Sequence, residues 1–275
     1  LVIKAIGRSD IEVELLVTGR WELSALIADH FSTGNIFLVG DAAHTLPPNR
    51  GGFGANTGIE DAHNLAWKLA AVLDGTSSPP LLDSYDAERR PVAWLRHDQI
   101  FARTDYKAQA DATIKNSPIL DDQAIEFGQL YRSSAIADSR NTELVPAKRP
   151  DEWAGQPGTR APHLWVNQGD SRISTLDLFQ RGWVLLVEDE RWNSAAIHVS
   201  NVLHIPLNCV RFGIDIHPTT SIEEYRAAFG VGEQGAVLVR PDGFIAWRHP
   251  ELSDDSVIVL TEALAQVAVA SADSK

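Results

Sequence analysis

An acidic residue, two prolines and a glycine-rich loop lie close together in residues 34–69, GNIFLVGDAAHTLPPNRGGFGANTGIEDAHNLAWKL. The apolar run at residues 36–39 predicts a strand that is buried on both faces and ends at Gly40 and Asp41. In open α/β sheets, ligands bind at this end of a strand, where a carboxylate can accept hydrogen bonds from sugar-like hydroxyls. We therefore expect Asp41 to face a large polar ligand.

The loop after this strand combines stiff and permissive residues. Pro47 and Pro48 fix the backbone in an extended path and leave carbonyl groups free to accept hydrogen bonds. Gly51, Gly52 and Gly54 allow positive φ angles and a close approach of the backbone to a ligand. This composition predicts a loop that holds a cofactor.

A helix is predicted to follow the loop. Thr57 and Glu60 form a T-x-x-E capping box, which indicates a helix that begins near Gly58. Its buried face is predicted from apolar residues at helical spacing, which are Ile59, Ala62, Ala66, Leu69 and Leu73. Free N–H groups and the positive end of the helix dipole, around residues 54–56, would stabilise negative charge on a ligand. A reduced flavin carries such charge near the N1 and C2 carbonyl edge of its ring.

The same stretch resembles the second flavin-binding motif of class A flavoprotein monooxygenases, the para-hydroxybenzoate hydroxylase-like family. The matching features are Gly40-Asp41 with Ala42-Ala43-His44, the Pro47-Pro48 pair, the glycine loop, Asn56, the helix from Asp61 to Leu69 and the downstream Tyr85-x-x-Glu88-Arg89-x-Pro91. The loop PPNRGGFGAN is one residue longer than the family's usual PPTGGFGMN, and the difference falls at Asn49 and Arg50.

This resemblance implies roles for individual residues of the motif. The residues that it assigns to cofactor binding are Gly40, Asp41, Pro48, Gly51, Gly52, Gly54, Ala55 and Asn56. Among them, Asp41 would contact the ribityl and pyrophosphate region of FAD. Pro48 would border the substrate beside the flavin, and residues 54–56 would meet the pyrimidine edge of the ring.

Blocks further along the chain resemble the phenol and polyketide hydroxylase branch of the family. They are Tyr131-Arg132-Ser133-Ser134-Ala135, Gly158-Thr159-Arg160-Ala161-Pro162-His163, Ser174-Thr175-Leu176-Asp177-Leu178 and GAVLVRPDG at residues 235–243. In that branch the segment around Arg132 lies near the substrate side of the flavin domain. The resemblance thus implies that Arg132, together with Pro48, is a candidate residue for the reaction.

The resemblance also implies an α/β fold with several parts. The expected parts are the end of a substrate-domain sheet (residues 1–20), the second half of a two-motif FAD-binding domain with its following helices (21–143), a linker (144–160) and a thioredoxin-like domain (161–275). Residues 1–21 read like the last strands of the substrate-domain sheet. No unit of a strand, a G-x-G-x-x-G loop and a helix for the ADP half of FAD is recognised. We therefore expect a fragment that is inactive alone and has the N-terminal half of the same enzyme as its partner.

Composition narrows the class of protein. The formal net charge of −13 and the pI near 5.1 disfavour nucleic acid and anionic membranes as partners. No apolar run approaches the roughly 20 residues that span a bilayer. We expect a cytoplasmic protein and leave a homodimer open.

Cys209 is the only cysteine, so no internal disulfide can form. Because the thioredoxin-like domain lacks a C-x-x-C motif, it is expected to be structural.

Several polar residues have simpler interpretations than catalysis. We expect His44 to be a structural hydrogen-bonding residue, because no further ligands lie at metal-binding spacing, and we expect no metal site. Trp67 is predicted to be buried and Lys68 to be solvated. Arg89 and Arg90 are predicted to form an interdomain ion pair.

Hydrophobic periodicity predicts the remaining elements. A helical pattern over residues 81–115 is broken at Pro91 and followed by a turn. Strands are predicted at 183–187 and 236–239, and helices at 223–229 and 256–268.

By resemblance, the protein is an FAD-dependent aromatic hydroxylase that uses NAD(P)H and dioxygen. NAD(P)H would reduce the flavin, oxygen would add at C4a, and the hydroperoxide would hydroxylate an electron-rich phenolic or polyketide-like ring. The cofactor carries this chemistry, so no protein nucleophile is required. Two alternatives stay open: another FAD-dependent oxidoreductase on the same scaffold, such as an epoxidase, halogenase or reductase, and a flavin-free interaction module.

Overall fold

A computed structural model describes residues 2–8, 10–19, 23–48, 52–139, 143–179, 181–252 and 255–270. Within these ranges the helices are α1 (Val2–Ile6), α2 (Phe53–Leu73), α3 (Asp83–Ala102), α4 (Ala112–Lys115), α5 (Asp122–Phe127), α6 (Glu190–Leu203), α7 (Ile222–Phe229) and α8 (Ser256–Val267). The strands are β1 (Leu26–Ile27), β2 (Ser32–Thr33), β3 (Ile36–Phe37), β4 (His44–Thr45), β5 (Trp165–Gln168), β6 (Ser171–Ser174), β7 (Trp183–Val187), β8 (Leu207–Arg211), β9 (His217–Pro218), β10 (Ala236–Val239) and β11 (Ile245–His249). Short 3-10 turns lie at Gly40–Ala42, Pro79–Leu82, Pro150–Glu152 and Thr175–Leu178.

A four-stranded sheet organises the C-terminal half, in the order β11-β10-β7-β8. Strands β7 and β8 are parallel, whereas β10 runs antiparallel to both β7 and β11. Every residue of β7 and β10 is buried, because α6 and α8 cover one face and α7 covers the other. The strands predicted at 183–187 and 236–239 are confirmed, as is the α/β fold class.

Helices α2 and α3 form the framework of the N-terminal half. The predicted start of α2 near Gly58 is wrong, because the helix begins at Phe53 after Gly52 in the left-handed conformation. Thr57 therefore lies inside the helix, where its hydroxyl donates a hydrogen bond to the Phe53 carbonyl oxygen at 2.5 Å. The Glu60 carboxylate binds arginines of α3 instead of capping a helix.

The buried face of α2 is also different from the predicted one. Ile59 and Leu73 are 68% and 84% exposed. The buried residues are Phe53, Thr57, Asp61, Asn64, Leu65 and Lys68. This face is largely polar because it packs against charged partners from α3 and from the C-terminal half. Helix α3 continues through Pro91, which forgoes one helical hydrogen bond without ending the helix.

Two predictions of strands near the N-terminus are not met by the described residues. At residues 36–39 only β3 forms; it pairs with β2 alone and leaves Ile36 69% exposed, so the prediction of a strand buried on both faces is wrong. Among residues 2–8 and 10–19 the structure contains helix α1 and no strand, because no neighbouring strand pairs with this segment. The assignment of residues 1–20 to a substrate-domain sheet stays a prediction.

The segment predicted to be a linker is packed rather than loose. Ala147 and Trp153 are buried, and the Trp153 indole N–H donates a hydrogen bond to the Gly128 carbonyl oxygen at 2.8 Å. Farther on, the Gly158 N–H donates to the Ile245 carbonyl oxygen of β11. The division into domains stays a prediction. No helix of the described ranges is long and apolar enough to cross a membrane.

Candidate functional site

The turn that carries Asp41 lies directly against α2. Gly40 has a φ of +60°, which favours glycine, and begins the 3-10 turn Gly40–Ala42. Gly58 of α2 faces it so closely that an added Cβ would lie 3.0 Å from the Gly40 Cα. Asp41 is exposed. Two glycines thus let the turn and the helix touch while the Asp41 carboxylate stays open to a ligand.

The N-terminus of α2 forms a second part of the same region. Gly52 is its N-cap and supplies no side-chain hydrogen bond to the first turn. Ala55 and Asn56 are exposed, and the space at Gly54 is open enough that an added Cβ would come no nearer than 3.7 Å to the Leu46 carbonyl oxygen. This 21-residue helix therefore presents backbone N–H groups among small side chains, a combination that suits a partly negative planar ring.

Pro48 is exposed, and its carbonyl oxygen accepts a hydrogen bond from the Tyr106 hydroxyl at 2.7 Å. Gly51, like Asn49 and Arg50, lies outside the described residues. Arg132 is half-buried and donates a hydrogen bond to the Leu144 carbonyl oxygen.

A buried aspartate joins the turn to both long helices. Asp61 Oδ2 lies 2.7 Å from His44 Nε2 and accepts a hydrogen bond from the Gly40 N–H at 3.3 Å. Its other oxygen accepts from Arg89 Nε at 2.7 Å. Burial by itself raises the pKa of Asp61, but the hydrogen bond with His44 and the charge of Arg89 outweigh it and hold this pKa below its usual value. The expected structural role of His44 is confirmed by this contact. The described residues contain no group of three side chains that could hold a metal ion.

The predicted interdomain ion pair of Arg89 and Arg90 is wrong. Arg89 is fully buried and bridges Asp61 and Glu60 of α2, while one of its N–H groups donates to the Tyr131 hydroxyl at 2.7 Å. Arg90 pairs with Asp86 one turn earlier on α3. The ion pairs of both arginines therefore lie within α2 and α3.

A buried contact between the N-terminal and C-terminal halves is made instead by four other charged residues, which we call the Glu88 cluster: Lys68, Glu88, Arg240 and Asp242. Glu88 accepts hydrogen bonds from Lys68 Nζ at 2.8 Å and from two nitrogens of Arg240 at 2.6 and 2.9 Å. Arg240 also pairs with Asp242. All four are buried, so the predicted solvation of Lys68 is wrong.

The cluster is electrically balanced, with two cations and two anions. Burial lowers the pKa of Lys68 to about 8, despite the opposing charge of Glu88. Burial would raise the pKa of Glu88, but Arg240 and Lys68 hold it far below its ordinary range. One signal of the polar buried face of α2 was present in the sequence: Thr57, Asp61, Asn64 and Lys68 recur at helical spacing.

One glycine pattern is explained by its surroundings. Residues 230–235, GVGEQG, fit the bare G-x-G-x-x-G spacing. They follow α7 and precede β10, which is the reverse of the strand–loop–helix order of a dinucleotide site. They form a helix C-cap and a turn.

Two protein families match this chain. Residues 1–99 match a family described as FAD binding domain, and residues 154–270 match one described as aromatic-ring hydroxylase, C-terminal. The chain is 43% identical to 4-methyl-5-nitrocatechol 5-monooxygenase of a Burkholderia species and 40% identical to tetracenomycin B2 monooxygenase-dioxygenase of Streptomyces olivaceus. Each alignment covers 97% of this chain and 50% or 49% of the relative, respectively.

A similar fold occurs in aklavinone-11 hydroxylase, whose structure was solved with FAD and aklavinone. The TM-score is 0.86 at 34% sequence identity, over 97% of this chain and 50% of that one. The chain thus spans about half the length of the curated relatives and of the solved structure that it matches.

Proposed function

Because this chain belongs to the FAD-binding aromatic-ring hydroxylases of the para-hydroxybenzoate hydroxylase-like family, we propose that it takes part in FAD- and NAD(P)H-dependent hydroxylation of an aromatic substrate. Its relatives are named for a nitrocatechol and for a tetracenomycin, and its structural neighbour for aklavinone. The substrate class of the proposal is accordingly a phenol or a polyketide-like ring. The reductant, the oxygen chemistry and the activity of the whole protein are part of the proposal.

The observation that carries this proposal is the N-terminus of α2, which has a glycine, Gly52, as its N-cap and lies beside the Gly40–Ala42 turn. Exposed Asp41 offers a carboxylate to hydroxyl groups, and the backbone N–H groups of half-buried Gly54 and exposed Ala55 lie at the positive end of a helix dipole, whereas the Asn56 N–H donates to the Gly52 carbonyl oxygen. A cofactor with a polyhydroxyl chain and a ring that becomes negative on reduction suits both features. We propose that Gly40, Asp41, Pro48, Gly51, Gly52, Gly54, Ala55 and Asn56 hold FAD.

The protein's part in the reaction is to bind, orient and stabilise. When bound, FAD would supply the redox chemistry, taking electrons from NAD(P)H and activating dioxygen for transfer to the ring. The α2 N-terminus would stabilise negative charge at the flavin ring by about 0.3–2 kcal/mol. Asp61 would keep the turn in place through Gly40 and His44, and the hydrogen bond from Tyr106 would hold Pro48 at the border of the substrate. A role for Arg132 in the reaction stays a prediction.

Substitutions at Gly54 test the flavin site. The protein would be produced with any sequence that flanks this chain in its gene, and FAD affinity would be measured by titration of flavin fluorescence. Gly54→Ala adds a methyl group that the fold accommodates, and Gly54→Val adds bulk at the proposed flavin edge. We expect FAD affinity to fall in the order Gly, Ala, Val while the melting temperature changes little.

Gly19→Val is the matched control, because Gly19 has a negative φ and no atom within 4 Å of an added Cβ. It is expected to leave FAD affinity unchanged. Unchanged FAD affinity in Gly54→Val would show that this loop does not face the flavin.

A further inference from the structure

A cavity of about 400 Å³ lies between α2 and the C-terminal half. Its lining includes His63 of α2, Arg160, Leu176 and Phe179, and Pro241 and Asp242 from the turn between β10 and β11. Its volume lies within the range of small-molecule sites. None of the described residues of the proposed flavin site lines it.

Arg160 is the distinctive residue of this cavity. It is half-buried, and its Nε is fully buried without a hydrogen-bond partner in the described part of the chain. No ion pair of Arg160 occurs among the described residues either; its guanidinium carbon lies 5.5 Å from the centre of the Phe244 ring. Buried polar groups are normally hydrogen-bonded. An arginine that lines a cavity and whose Nε has no partner among the described residues is therefore suited to an anionic ligand.

The other walls define the kind of anion. Leu176, Phe179 and Pro241 are apolar and would accommodate a hydrocarbon body. The guanidinium presents two parallel N–H groups, which match the two oxygens of a carboxylate. The Asp242 carboxylate lines the cavity as well, and its charge is already compensated by Arg240. Among the described lining residues Arg160 is the one arginine or lysine, and an acidic residue lies beside it, which suits a monoanion better than a phosphate with a charge of about −1.5 to −2.

We propose that this cavity binds a small organic carboxylate, with the carboxylate on Arg160 and its apolar body against Leu176 and Phe179. The ligand would lie beside Asp242 and thus next to the Glu88 cluster, which connects the C-terminal half to α2. The site is independent of the proposed flavin site.

Benzoate, its neutral analogue benzamide and inorganic phosphate are suitable probes. Binding to the FAD-loaded protein would be measured by isothermal titration and by saturation-transfer NMR. We expect benzoate to bind at least tenfold more tightly than benzamide or phosphate. If the wild-type protein binds benzamide as tightly as benzoate, or binds phosphate but not benzoate, the proposal is overturned.

Substitutions locate the binding. Arg160→Gln is expected to weaken benzoate binding at least tenfold, and Arg160→Lys, which keeps the charge without the paired N–H groups, to weaken it less. Arg172→Gln is the matched control, because Arg172 is exposed, stacks on Trp165 and does not line the cavity. FAD retention should be the same in all four proteins. Benzoate binding that survives Arg160→Gln would belong to another site, such as the proposed substrate site, and would overturn the assignment.

Discussion

Two aspartates twenty positions apart show how environment separates the roles of identical side chains. Asp41 is exposed at the end of the turn, whereas Asp61 is buried and occupied by His44, Arg89 and the Gly40 N–H. Only the first can offer its carboxylate to a ligand. Asp61 holds in place the turn that carries Asp41.

Asp41→Ala is expected to weaken FAD binding by about 1–3 kcal/mol, the usual effect of removing a charge-assisted hydrogen-bond partner. The fold should be unaffected because the side chain is exposed. Flavin content after gel filtration and FAD titration would measure the change. Asp170→Ala, in the exposed turn between β5 and β6, is the control. Full flavin retention in Asp41→Ala would remove this residue from the site.

The Cys209 thiol is expected to be unreactive in the folded protein. It lies on β8, and burial raises the pKa of its thiol to about 12, so that little thiolate forms at neutral pH. Alkylation by iodoacetamide at pH 8 should be at least about tenfold slower in the native protein than in urea, and Cys209→Ser should retain FAD and turnover. Equal alkylation rates in both states, or a loss of turnover with normal flavin content, would reveal a reactive thiol.

Helix α2 buries a largely polar face. Hydrophobic periodicity selected Ile59 and Leu73, which are exposed, because the pattern assumes that a buried face is apolar. The true buried face carries Asp61, Asn64 and Lys68, and each is stabilised by a partner on another segment. The helical spacing of these polar residues is visible in α2, but their burial cannot be predicted from α2 alone, since their partners lie 20 or more positions away in sequence.

A pair of alanine substitutions tests the contact between α2 and the turn. Alanine in place of a helical glycine normally stabilises by about 1 kcal/mol. Gly54→Ala should show part of this gain, because the new Cβ makes only ordinary contacts. Gly58→Ala should instead destabilise the protein and weaken FAD binding, because its Cβ would press on the Gly40 Cα at 3.0 Å.

Urea unfolding and FAD titration of both variants would decide the matter. Equal stabilisation by the two substitutions, with FAD affinity unchanged in Gly58→Ala, would mean that the turn does not depend on its close packing against the helix.

At the scale of the whole molecule, the Glu88 cluster ties together the two regions that match different families. Glu88 of α3 and Arg240 at the end of β10 are 152 positions apart in sequence, and their contact is fully buried. The strands at 183–187 and 236–239 could be predicted because each is a continuous apolar run, and the resemblance to the flavoprotein family because the residues that carry it are close together in sequence. The Glu88 cluster could not be predicted from the sequence, because its charged residues come from distant segments that come into contact only in the folded protein.

Glu88→Gln is expected to destabilise the protein by about 3–5 kcal/mol at pH 7, because it leaves Lys68 and Arg240 without their shared carboxylate. The pKa of Glu88 is lower in the folded chain than its ordinary 4.5, so its contribution is present above about pH 4.5 and is lost as the pH falls below that value. The variant should therefore lose less stability than the wild type between pH 7 and pH 4.

Urea unfolding at the two pH values measures both effects. Glu262→Gln, on the exposed side of α8, is the matched control and should behave as the wild type. A wild-type acid dependence in Glu88→Gln would assign the effect to other carboxylates, such as Asp61.

Isotope incorporation from dioxygen would test directly whether the protein hydroxylates aromatic rings. The protein, produced with its native flanking sequence and loaded with FAD, would be given NADH or NADPH, a panel of phenols and hydroxylated polycyclic aromatics, and ¹⁸O₂. We expect mass spectrometry to find one ¹⁸O atom in each new ring hydroxyl, together with oxidation of the nicotinamide. The Gly54→Val variant should form less labelled product at an unchanged melting temperature. Nicotinamide oxidation with the label only in hydrogen peroxide or water, for every substrate, would contradict aromatic hydroxylation and favour a reductase or oxidase on the same scaffold.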